Sequence, residues 1–438
     1  MLPAARTEAA IYLLGKIADE RRAADDIVRA WFQARRFVGS KDRRAIRDRV
    51  YGVLRSLARI DWHLEQAGGD TEKSARNRVM AAIVLEGGDA TANFDGSTHG
   101  PSVLTDDEQT LVEALTGKQL DDPAQPIHVQ VELPEWLAEK LQAVFGDDLL
   151  DEMAALNTSA PMDLRVALGR VSRDQAKQTL AKGGIKTEYT HISPMGLRLA
   201  AHSDIARTHA FRKGFIEVQD EGSQLLSLLV GAKASMRVLD YCAGAGGKTL
   251  AIADRMGLTD GMSKSELVAT DIDAKRLERM DKRLSRAKLS KKVERITLDG
   301  NEDLGAFDRV LVDAPCSGSG TWRRHPEQKK RLTQDRLSEL MGMQDDVLEK
   351  AAALVKPGGR LVYATCSLLR EENEDRIDAF LKSHPDFQVV PMAQNWAETI
   401  KKVDCPITVE EGQDLPDFLR LTPHSHGTDG FFVAVLLH

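Results

Sequence analysis

The sequence predicts an α/β protein in which a doubly wound sheet forms the C-terminal half and helices form the N-terminal domain. In the C-terminal half, short apolar runs alternate with helical patterns, as expected for strands separated by helices. A glycine-rich turn at Gly244, Gly246 and Gly247 follows the first of these runs, where a strand passes into a helix. From Ala4 to about Leu85, apolar residues instead recur at helical spacing.

The length of the chain sets the number of domains. At 438 residues it is too long for one ordinary core and predicts two or three domains. We place them at 1–126, a helical domain with a flexible loop at 86–102; at 127–234, a small α+β subdomain; and at 235–438, the main sheet. The first boundary rests on Asp-Asp-Pro-Ala-Gln-Pro (121–126), which interrupts the helical pattern.

The composition is that of a globular protein, without an apolar run near the roughly 20 residues that a membrane-spanning helix needs. The short apolar stretch 9–14 is flanked by charges, which argues against a signal peptide, and Glu8 argues against a transit peptide. The cysteines at 242, 316, 366 and 405 form no C-x-x-C pair and no zinc spacing. We therefore expect a cytoplasmic protein with reduced cysteines, no metal site and no membrane contact.

The net charge of −7 conceals three basic segments, 35–59, 275–295 and 323–336, in which Lys and Arg outnumber Asp and Glu. One such run is usually a solvated helix face, but three in an acidic protein favour a polyanion lying across selected surfaces. The candidate phosphate contacts are Arg43, Arg44, Arg47, Arg323, Arg324 and His325. The segment 39–55 also resembles the NusB-like RNA-binding domain; a helical adaptor for protein contacts is the alternative, since basic helices serve both uses.

The residues around the glycine turn decide which ligand it accepts. A phosphate-binding P-loop requires glycine five residues before the Gly-Lys-Thr, and that position is Cys242. The dinucleotide fingerprint requires a third glycine where Thr249 stands. The remaining pattern, Asp240-x-x-x-Gly244-x-Gly246, suits a ligand without phosphate, such as S-adenosylmethionine.

An acidic residue at the end of the next strand would complete such a site by binding the ribose hydroxyls. Asp271 follows the apolar run 266–270 and takes this position. A purely structural glycine turn is the alternative, because a short glycine motif is a weak signal by itself.

Two cysteines follow predicted strands whose carboxyl ends should lie beside the glycine turn. Cys316 follows the run 309–315, and Cys366 follows the run 361–365. A single cysteine at such a position is more often an inert core residue, but two thiols facing one pocket indicate chemistry. Methylation of cytosine at C5 needs them: a thiolate adds to C6, C5 then accepts the methyl group, and a base and a departing thiol restore the ring. Asp313 is the natural partner for N3 of the base, which has to be unpaired or extruded.

Several ordered segments match one known family. They are Val-Gln-Asp-Glu-Gly-Ser (218–223), Cys-Ala-Gly-Ala-Gly-Gly-Lys-Thr (242–249), Asp-Ala-Pro-Cys-Ser-Gly-Ser-Gly (313–320), Arg-Arg-His-Pro (323–326), Ala-Thr-Cys-Ser (364–367) with Glu371, Glu372 and Asn373, and Asp-Gly-Phe-Phe (429–432). With them, the sequence from about residue 130 onward resembles the Sun (Fmu) branch of the bacterial RNA cytosine-5 methyltransferases, in the Nop/Sun family. The helical domain joined to this catalytic domain resembles the enzyme that modifies 16S ribosomal RNA.

The resemblance implies a Rossmann-like class I methyltransferase sheet with S-adenosyl-L-methionine as cofactor. It implies a monomer whose partner is RNA, either 16S rRNA or a small-subunit assembly intermediate. It assigns the nucleophile to Cys366 and product release to Cys316; the residues alone leave these roles open, because DNA cytosine methylases attack with the Pro-Cys thiol. The implied cofactor contacts are Cys242, Ala243, Gly244, Ala245, Gly246, Gly247, Lys248, Asp271, Asp299 and Asp313.

Two positions depart from the family pattern. Ala245 stands where many relatives have proline, and Glu327-Gln-Lys replaces Asp-Ile-Lys in a loop predicted to face RNA. Lys248 is predicted to touch either the cofactor carboxylate or an active-site carboxylate. The alternative functions are a DNA cytosine methylase, disfavoured by the short chain after Cys366, an RNA-binding or antitermination factor with an inactive methyltransferase fold, and methylation of tRNA or 23S rRNA.

Overall fold

The computed structural model describes residues 1–68, 74–201, 203–259, 264–300, 302–401, 403–407 and 416–438. The chain forms two compact units. The first comprises Met1–Thr158 with Trp322–Thr333, and the second comprises Ser159–Thr321 with Gln334–His438. Among the described residues, no helix combines the length and apolar character that crossing a bilayer requires.

The first unit is helical. Its helices are α1 (Pro3–Asp19), α2 (Ala24–Ala34), α3 (Ser40–Arg55), α4 (Leu57–Gly68), α5 (Ala75–Leu85), α6 (Ala90–Asn93), α7 (Asp106–Leu115), α8 (Ile127–Gln130), α9 (Glu135–Phe145), α10 (Leu149–Leu156) and α16 (Gln328–Arg331). Every residue of α5 from Val79 to Leu85 is buried, so this helix lies at the centre of the bundle. Helix α8 packs against both α4 and α9, and α10 packs against α9. For this reason the compact unit extends to 158, and the domain boundary near 126 stays a prediction.

The segment 322–333 lies far along the chain but packs within the helical unit. The Glu327 carboxylate accepts a hydrogen bond from Ala24 N, at the N-terminus of α2. The Arg331 guanidinium donates to Ile17 O and Glu20 O, at the C-terminus of α1. An acid at a helix N-terminus and a base at a C-terminus both complement the helix dipole, so the segment is anchored by charge at two helix ends.

The second unit begins with a small antiparallel sheet in the order β2-β3-β1-β4. Its elements are β1 (Asp163–Val166), α11 (Arg173–Lys182), β2 (Thr187–Tyr189), β3 (Gly196–Leu199), α12 (His209–Arg212) and β4 (Ile216–Val218), followed by α13 (Glu221–Leu229). These elements have the α+β character predicted for 127–234. The predicted boundary at 234/235 lies inside the second unit, which is compact as a whole.

The main sheet of the second unit has eight strands, in the order β10-β12-β9-β8-β5-β6-β7, with β11 paired to β12. The strands are β5 (Arg237–Asp240), β6 (Glu266–Asp271), β7 (Val293–Thr297), β8 (Phe307–Asp313), β9 (Val355–Thr365), β10 (Gln388–Val389), β11 (Leu419–Leu421) and β12 (Phe431–Leu437). The helices are α14 (Gly247–Arg255), α15 (Ala274–Ala287), α17 (Gln334–Ala352), α18 (Glu374–Ser383), α19 (Met392–Thr399) and α20 (Pro423–His426). Strands β5 to β9 are parallel, whereas β10, β11 and β12 are antiparallel.

Both faces of the main sheet are buried. Val238 and Leu311 belong to one apolar cluster, and the next residues along the same strands, Leu239 and Val312, belong to another. Successive side chains of a strand point to opposite faces, so the two clusters are the two covered faces of an α/β sandwich. The chain adds β6 and β7 on one side of β5 and then β8 and β9 on the other. The carboxyl ends of β5 and β8 therefore flank the topological switch point, where such sheets bind their ligands.

Candidate active site

The glycine loop after β5 is fixed to the end of β6. Gly244 N donates to the Asp271 carboxylate at 3.0 Å. Gly246 has a φ of +79°, and a Cβ at this position would lie 2.4 Å from the Met280 side chain. Only glycine fits both the backbone conformation and the space, so the loop backbone can lie close against α15.

We expect Gly246→Ala to lose cofactor binding, because a left-handed backbone and a clash with Met280 both oppose the side chain. The backbone conformation alone costs about 1–2 kcal/mol. Isothermal titration with S-adenosylmethionine measures the loss, and Gly342→Ala is the control, since its Cβ would meet nothing within 4 Å. Equal affinities in the two variants would contradict this account of the loop.

Asp240 and Asp271 are the buried carboxylates of the loop. One oxygen of Asp240 accepts from the Thr249 hydroxyl at 2.6 Å, and the other, Oδ1, is buried without a hydrogen-bond partner among the described residues. Burial raises the pKa of Asp240 to about 7, against the smaller effect of the Thr249 hydrogen bond. A ligand amino group is the kind of donor that would satisfy this oxygen. The sequence analysis quoted Asp240 in the loop pattern but did not count it among the cofactor contacts.

Lys248, at the start of α14, forms an ion pair with Asp313 at the end of β8, with 2.7 Å between Nζ and Oδ2. Burial alone would lower the pKa of Lys248, but the charge and the hydrogen bond of Asp313 outweigh burial, and this pKa is raised. Of the two roles predicted for Lys248, the structure therefore shows contact with the active-site carboxylate. The charge of Cys366 also raises the pKa of Lys248, so this thiol belongs to the same cluster.

The two predicted catalytic cysteines lie together at the carboxyl edge of the sheet. Cys316 follows β8, Cys366 follows β9, and their sulfur atoms are 3.4 Å apart. The hydrogen bond to Cys366, together with burial, raises the pKa of Cys316 well above its ordinary value. Cys316 therefore keeps its proton, and its thiol can donate a hydrogen bond to the Cys366 sulfur. Neither cysteine is in a disulfide.

The remaining cysteines are separate from this pair. Burial raises the pKa of Cys242, within the glycine loop, so this thiol stays protonated. Burial also raises the pKa of Cys405. In the part of the chain that the structure describes, no group of side chains could hold a metal ion.

Asp299 lies just beyond β7, in an exposed loop. Its backbone N–H donates to Glu302. The preceding residue, Leu298, donates its N–H to Asp271 O at 3.0 Å. The structure thus places Asp299 next to the strand end that carries Asp271, on the side predicted to receive the cofactor.

The predicted RNA contacts occur in the helical unit. Arg44 and Arg47 are exposed on α3, whereas Arg43 donates to Val38 O at 2.8 Å. Arg323 is only 4% exposed, and Arg324 and His325 are partly buried. Burial leaves Arg323 a poorer phosphate contact than Arg44, because the loop that was predicted to face RNA packs into the bundle instead.

Two family models match the chain. One, described as 16S rRNA methyltransferase RsmB/F, matches residues 228–437, and the other, described as Methyltr_RsmF/B-like, ferredoxin-like domain, matches residues 133–206. The ribosomal RNA small subunit methyltransferase B of Pseudomonas putida is 33% identical over 331 residues, which cover 74% of this chain and 70% of the relative. The chain belongs to the RsmB/F methyltransferase family. The probable ribosomal RNA small subunit methyltransferase B of Bacillus subtilis is 31% identical over 72% of this chain and 68% of the relative.

Solved structures of similar proteins support the same fold. The protein named PH0851 superposes over 100% of this chain and 99% of its own, with a TM-score of 0.76 and 26% identity. A methyltransferase homologue from Pyrococcus horikoshii covers 71% of this chain and 97% of its own, with a TM-score of 0.58 and 27% identity. The predicted Rossmann-like class I methyltransferase fold is therefore confirmed.

As a member of the RsmB/F family, the protein is an RNA methyltransferase, and its methyl donor is S-adenosyl-L-methionine. The loop fits this donor. Asp271 ends the strand next to the glycine loop, the position predicted for a ribose-binding acid, and Asp240 Oδ1 is a buried acceptor without a partner among the described residues.

Sequence reasoning missed one residue beside the cysteines. Glu372 is completely buried, and its carboxylate accepts hydrogen bonds from the loops that follow both cysteines. The signal was present, because acids directly after Ala-Thr-Cys-Ser belong to the matched motif. The motif gave no role for them, since their contacts depend on the folded loops.

Proposed function

We propose that the protein methylates C5 of a cytosine in 16S rRNA through a covalent bond between Cys366 and C6 of the base, with Cys316 assisting product release. The observation that carries the proposal is the pair of sulfur atoms 3.4 Å apart, next to the Lys248–Asp313 ion pair and the cofactor loop. A methyltransferase acting on a nucleophilic oxygen or nitrogen would have no use for two adjacent thiols. Cytosine C5 is not nucleophilic until a thiolate adds at C6.

The first step is addition of the Cys366 thiolate to C6. Cys316 can donate a hydrogen bond to this sulfur, and the Lys248 ammonium group lies close enough to interact with its charge. As the sulfur adds, the π electrons of the C5–C6 double bond shift toward C5 and N3, and N3 takes a proton from Lys248, which is paired with Asp313 at 2.7 Å. The base is then an enamine in which C5 is nucleophilic.

When bound, S-adenosylmethionine supplies an electrophilic methyl group. After transfer, C5 carries both its original hydrogen and the methyl group, so the hydrogen has to leave as a proton. Loss of that proton and departure of the sulfur from C6 together restore the C5–C6 double bond. Cys366 leaves as the thiolate, and N3 releases its added proton to solvent.

Cys316 is the base for this second half of the reaction. Its pKa is raised in the free enzyme, first of all by the hydrogen bond to Cys366. Once Cys366 is bonded to C6, its sulfur is a neutral thioether and a weak acceptor. The largest cause that raises the pKa of Cys316 is then gone, so Cys316 can pass its proton to the Lys248 amine, which gave one to N3, and the resulting thiolate removes the C5 proton.

The helical unit would supply RNA affinity through Arg44 and Arg47 on α3. We expect the double variant R44A/R47A to bind RNA more weakly, with a shallower dependence of affinity on salt. Each lost phosphate contact lowers the slope of log K against log salt by about 0.7 for single-stranded RNA. Fluorescence anisotropy with labelled small-subunit RNA measures both effects, and Lys182→Ala, an exposed change in the second unit, is the control. An unchanged slope would favour the protein-adaptor role of this unit.

The reaction itself is tested by supplying the enzyme with labelled S-adenosylmethionine and four unmodified substrates: 16S rRNA, 23S rRNA, tRNA and DNA. The proposal predicts label in 16S rRNA, recovered as 5-methylcytosine after digestion. Label recovered in tRNA or 23S rRNA would revise the proposed substrate and leave the proposed chemistry unchanged. Label in no nucleic acid would favour an RNA-binding factor with an inactive fold, and label at another atom would contradict the cysteine mechanism.

A further inference from the structure

A single buried carboxylate connects the loops that carry the two cysteines. Glu372, in the turn before α18, is 0% exposed. One of its oxygens accepts from the backbone N–H of Ser317 at 2.8 Å and from the Gln344 side chain at 3.0 Å. The other accepts from the hydroxyl groups of Ser317 and Ser367. Each of these four contacts is with a donor, and the two carboxylate oxygens have enough lone pairs to accept all four.

The two serines are the immediate neighbours of the two cysteines. Ser317 follows Cys316 after β8, and Ser367 follows Cys366 after β9. Contacts to Glu372 therefore fix the chain one residue beyond each sulfur. Beyond the last hydrogen bond of a strand, the chain can change direction. The hydrogen bonds of Ser317 and Ser367 to Glu372 therefore determine where each thiol lies.

Other hydrogen bonds join the same two loops without Glu372. Gly320 N donates to Cys366 O at 2.9 Å, and Leu368 N donates to the Ser319 hydroxyl at 2.8 Å. The loops would thus remain associated if the carboxylate were lost. What the carboxylate adds is a negative charge and a common anchor for the two serines.

Burying a charge is costly, so a carboxylate at this position requires a reason beyond filling space. Removing a carboxylate from water without compensation costs several kcal/mol, and an apolar side chain would fill the same volume without that penalty. The four donors offset the cost of burial. The four donors do not explain why a charged side chain occupies this position. A role in placing the two neighbouring thiols does explain it.

We propose that Glu372 is a positioning residue, whose carboxylate anchors Ser317 and Ser367, thereby sets the separation of the Cys316 and Cys366 sulfur atoms, and places a negative charge beside Cys316. This inference rests on the proposed cytosine-5 chemistry, because only that chemistry gives the two thiols successive roles. It concerns a residue that touches neither substrate nor cofactor and acts through the two cysteines.

Electrostatics supports the same assignment. The pKa of Cys316 is raised by its hydrogen bond to Cys366, by burial, by the charge of Cys366 and then by the charge of Glu372. Tyr363 on β9 also faces this cluster, and its hydroxyl donates to Glu372 O at 2.7 Å. Burial, the largest cause, raises the pKa of Tyr363 well above its ordinary value, and the charge of Glu372 adds to this effect. Tyr363 therefore stays neutral and adds no charge that could replace Glu372.

The test is Glu372→Gln, which preserves the volume and removes the charge. We expect kcat for RNA methylation to fall by about 100-fold, the effect of a displacement near 1 Å of reacting groups. The KM values for S-adenosylmethionine and RNA should stay within about twofold, because the glycine loop and the arginines of α3 are unchanged. Asp378→Asn, an exposed change of equal charge on α18, should leave kcat unchanged.

A second readout separates positioning from simple stabilisation and needs no RNA. The rate at which iodoacetamide alkylates Cys316 is followed against pH by peptide mass spectrometry. Glu372→Gln should shift the midpoint of this profile to lower pH, since a negative neighbour has been removed. Glu372→Asp, which keeps the charge on a shorter side chain, should retain the wild-type midpoint and recover part of kcat. An unchanged midpoint in Glu372→Gln would overturn the proposal and leave Glu372 a structural residue.

Failure of the inference and failure of the proposed function are distinguishable. If the wild-type enzyme makes 5-methylcytosine but Glu372→Gln has a normal kcat, only the inference fails. If the wild-type enzyme makes none, the proposed function fails, while alkylation still reports on Glu372. If Glu372→Gln does not fold, Ser367→Ala tests the anchor with the charge in place. In Ser367→Ala, a lower kcat with an unchanged alkylation midpoint of Cys316 supports the proposal. A wild-type kcat in Ser367→Ala contradicts it.

Discussion

Cys366→Ala is expected to abolish RNA methylation while S-adenosylmethionine still binds with near wild-type affinity. The change removes the group that makes C5 nucleophilic, and no other thiolate is available because Cys316 is protonated in the free enzyme. Loss of an enzyme nucleophile costs on the order of 10⁴-fold or more in rate. The cofactor loop depends on Gly244, Gly246 and Asp271, and none of them bonds to Cys366.

Transfer of labelled methyl groups to unmodified 16S rRNA measures the first effect, and isothermal titration measures the second. Cys405→Ala is the matched control, because it also removes a partly buried cysteine but lies outside the sulfur pair. Activity of Cys366→Ala equal to that of the control would show that the reaction does not pass through this sulfur.

Cys316→Ala should have the opposite signature, an enzyme that forms the covalent bond with RNA but cannot break it. Cys366 remains able to attack, and the methyl group is transferred. The C5 proton then has no base within reach, so protein and RNA stay linked. The predicted observation is a protein–RNA species that survives denaturing electrophoresis and appears only when S-adenosylmethionine is present.

The double variant Cys316→Ala/Cys366→Ala is the control for this experiment, because without the nucleophile no linked species should form. A linked species with Cys366→Ala, and none with Cys316→Ala, would reverse the two roles. That outcome would match the order used by DNA cytosine methylases, which the sequence alone left open.

The alternation of apolar runs with helical patterns was sufficient to predict the main sheet of the second unit. The motifs at the strand ends were sufficient to predict which segments meet in the candidate site. The glycine turn, the acid at the end of β6 and the two cysteines after β8 and β9 all follow strands, and parallel strands end at one edge of a sheet. Periodicity was less precise at strand starts. The run 361–365 marks only the end of β9, which begins at Val355. The Lys-Pro-Gly-Gly at 356–359, with Gly358 at a φ of +77°, interrupts the pairing with β8 between Val355 and Arg360, so the apolar pattern does not extend across it.

Contacts between distant segments could not be predicted in the same way. The pairing of Lys248 with Asp313 depends on side-chain reach across two strands, and periodicity carries no information on it. The segment 322–333 looked like a basic surface loop, yet its charged side chains bind the ends of helices more than 300 residues earlier in the chain. A sequence shows the charges, but only the fold shows whether their partners are phosphates or helix termini.

The central claim is that the sulfur of Cys366, and not that of Cys316, bonds to the target base. RNA containing 5-fluorocytidine tests it most directly, because fluorine replaces the hydrogen that has to leave C5 and so arrests the wild-type enzyme after methyl transfer. Digestion and mass spectrometry of the arrested complex should find the modified nucleotide on the peptide that contains Cys366. Recovery of the nucleotide on the Cys316 peptide, or the absence of any linked peptide while 5-methylcytosine still forms in ordinary RNA, would contradict the account.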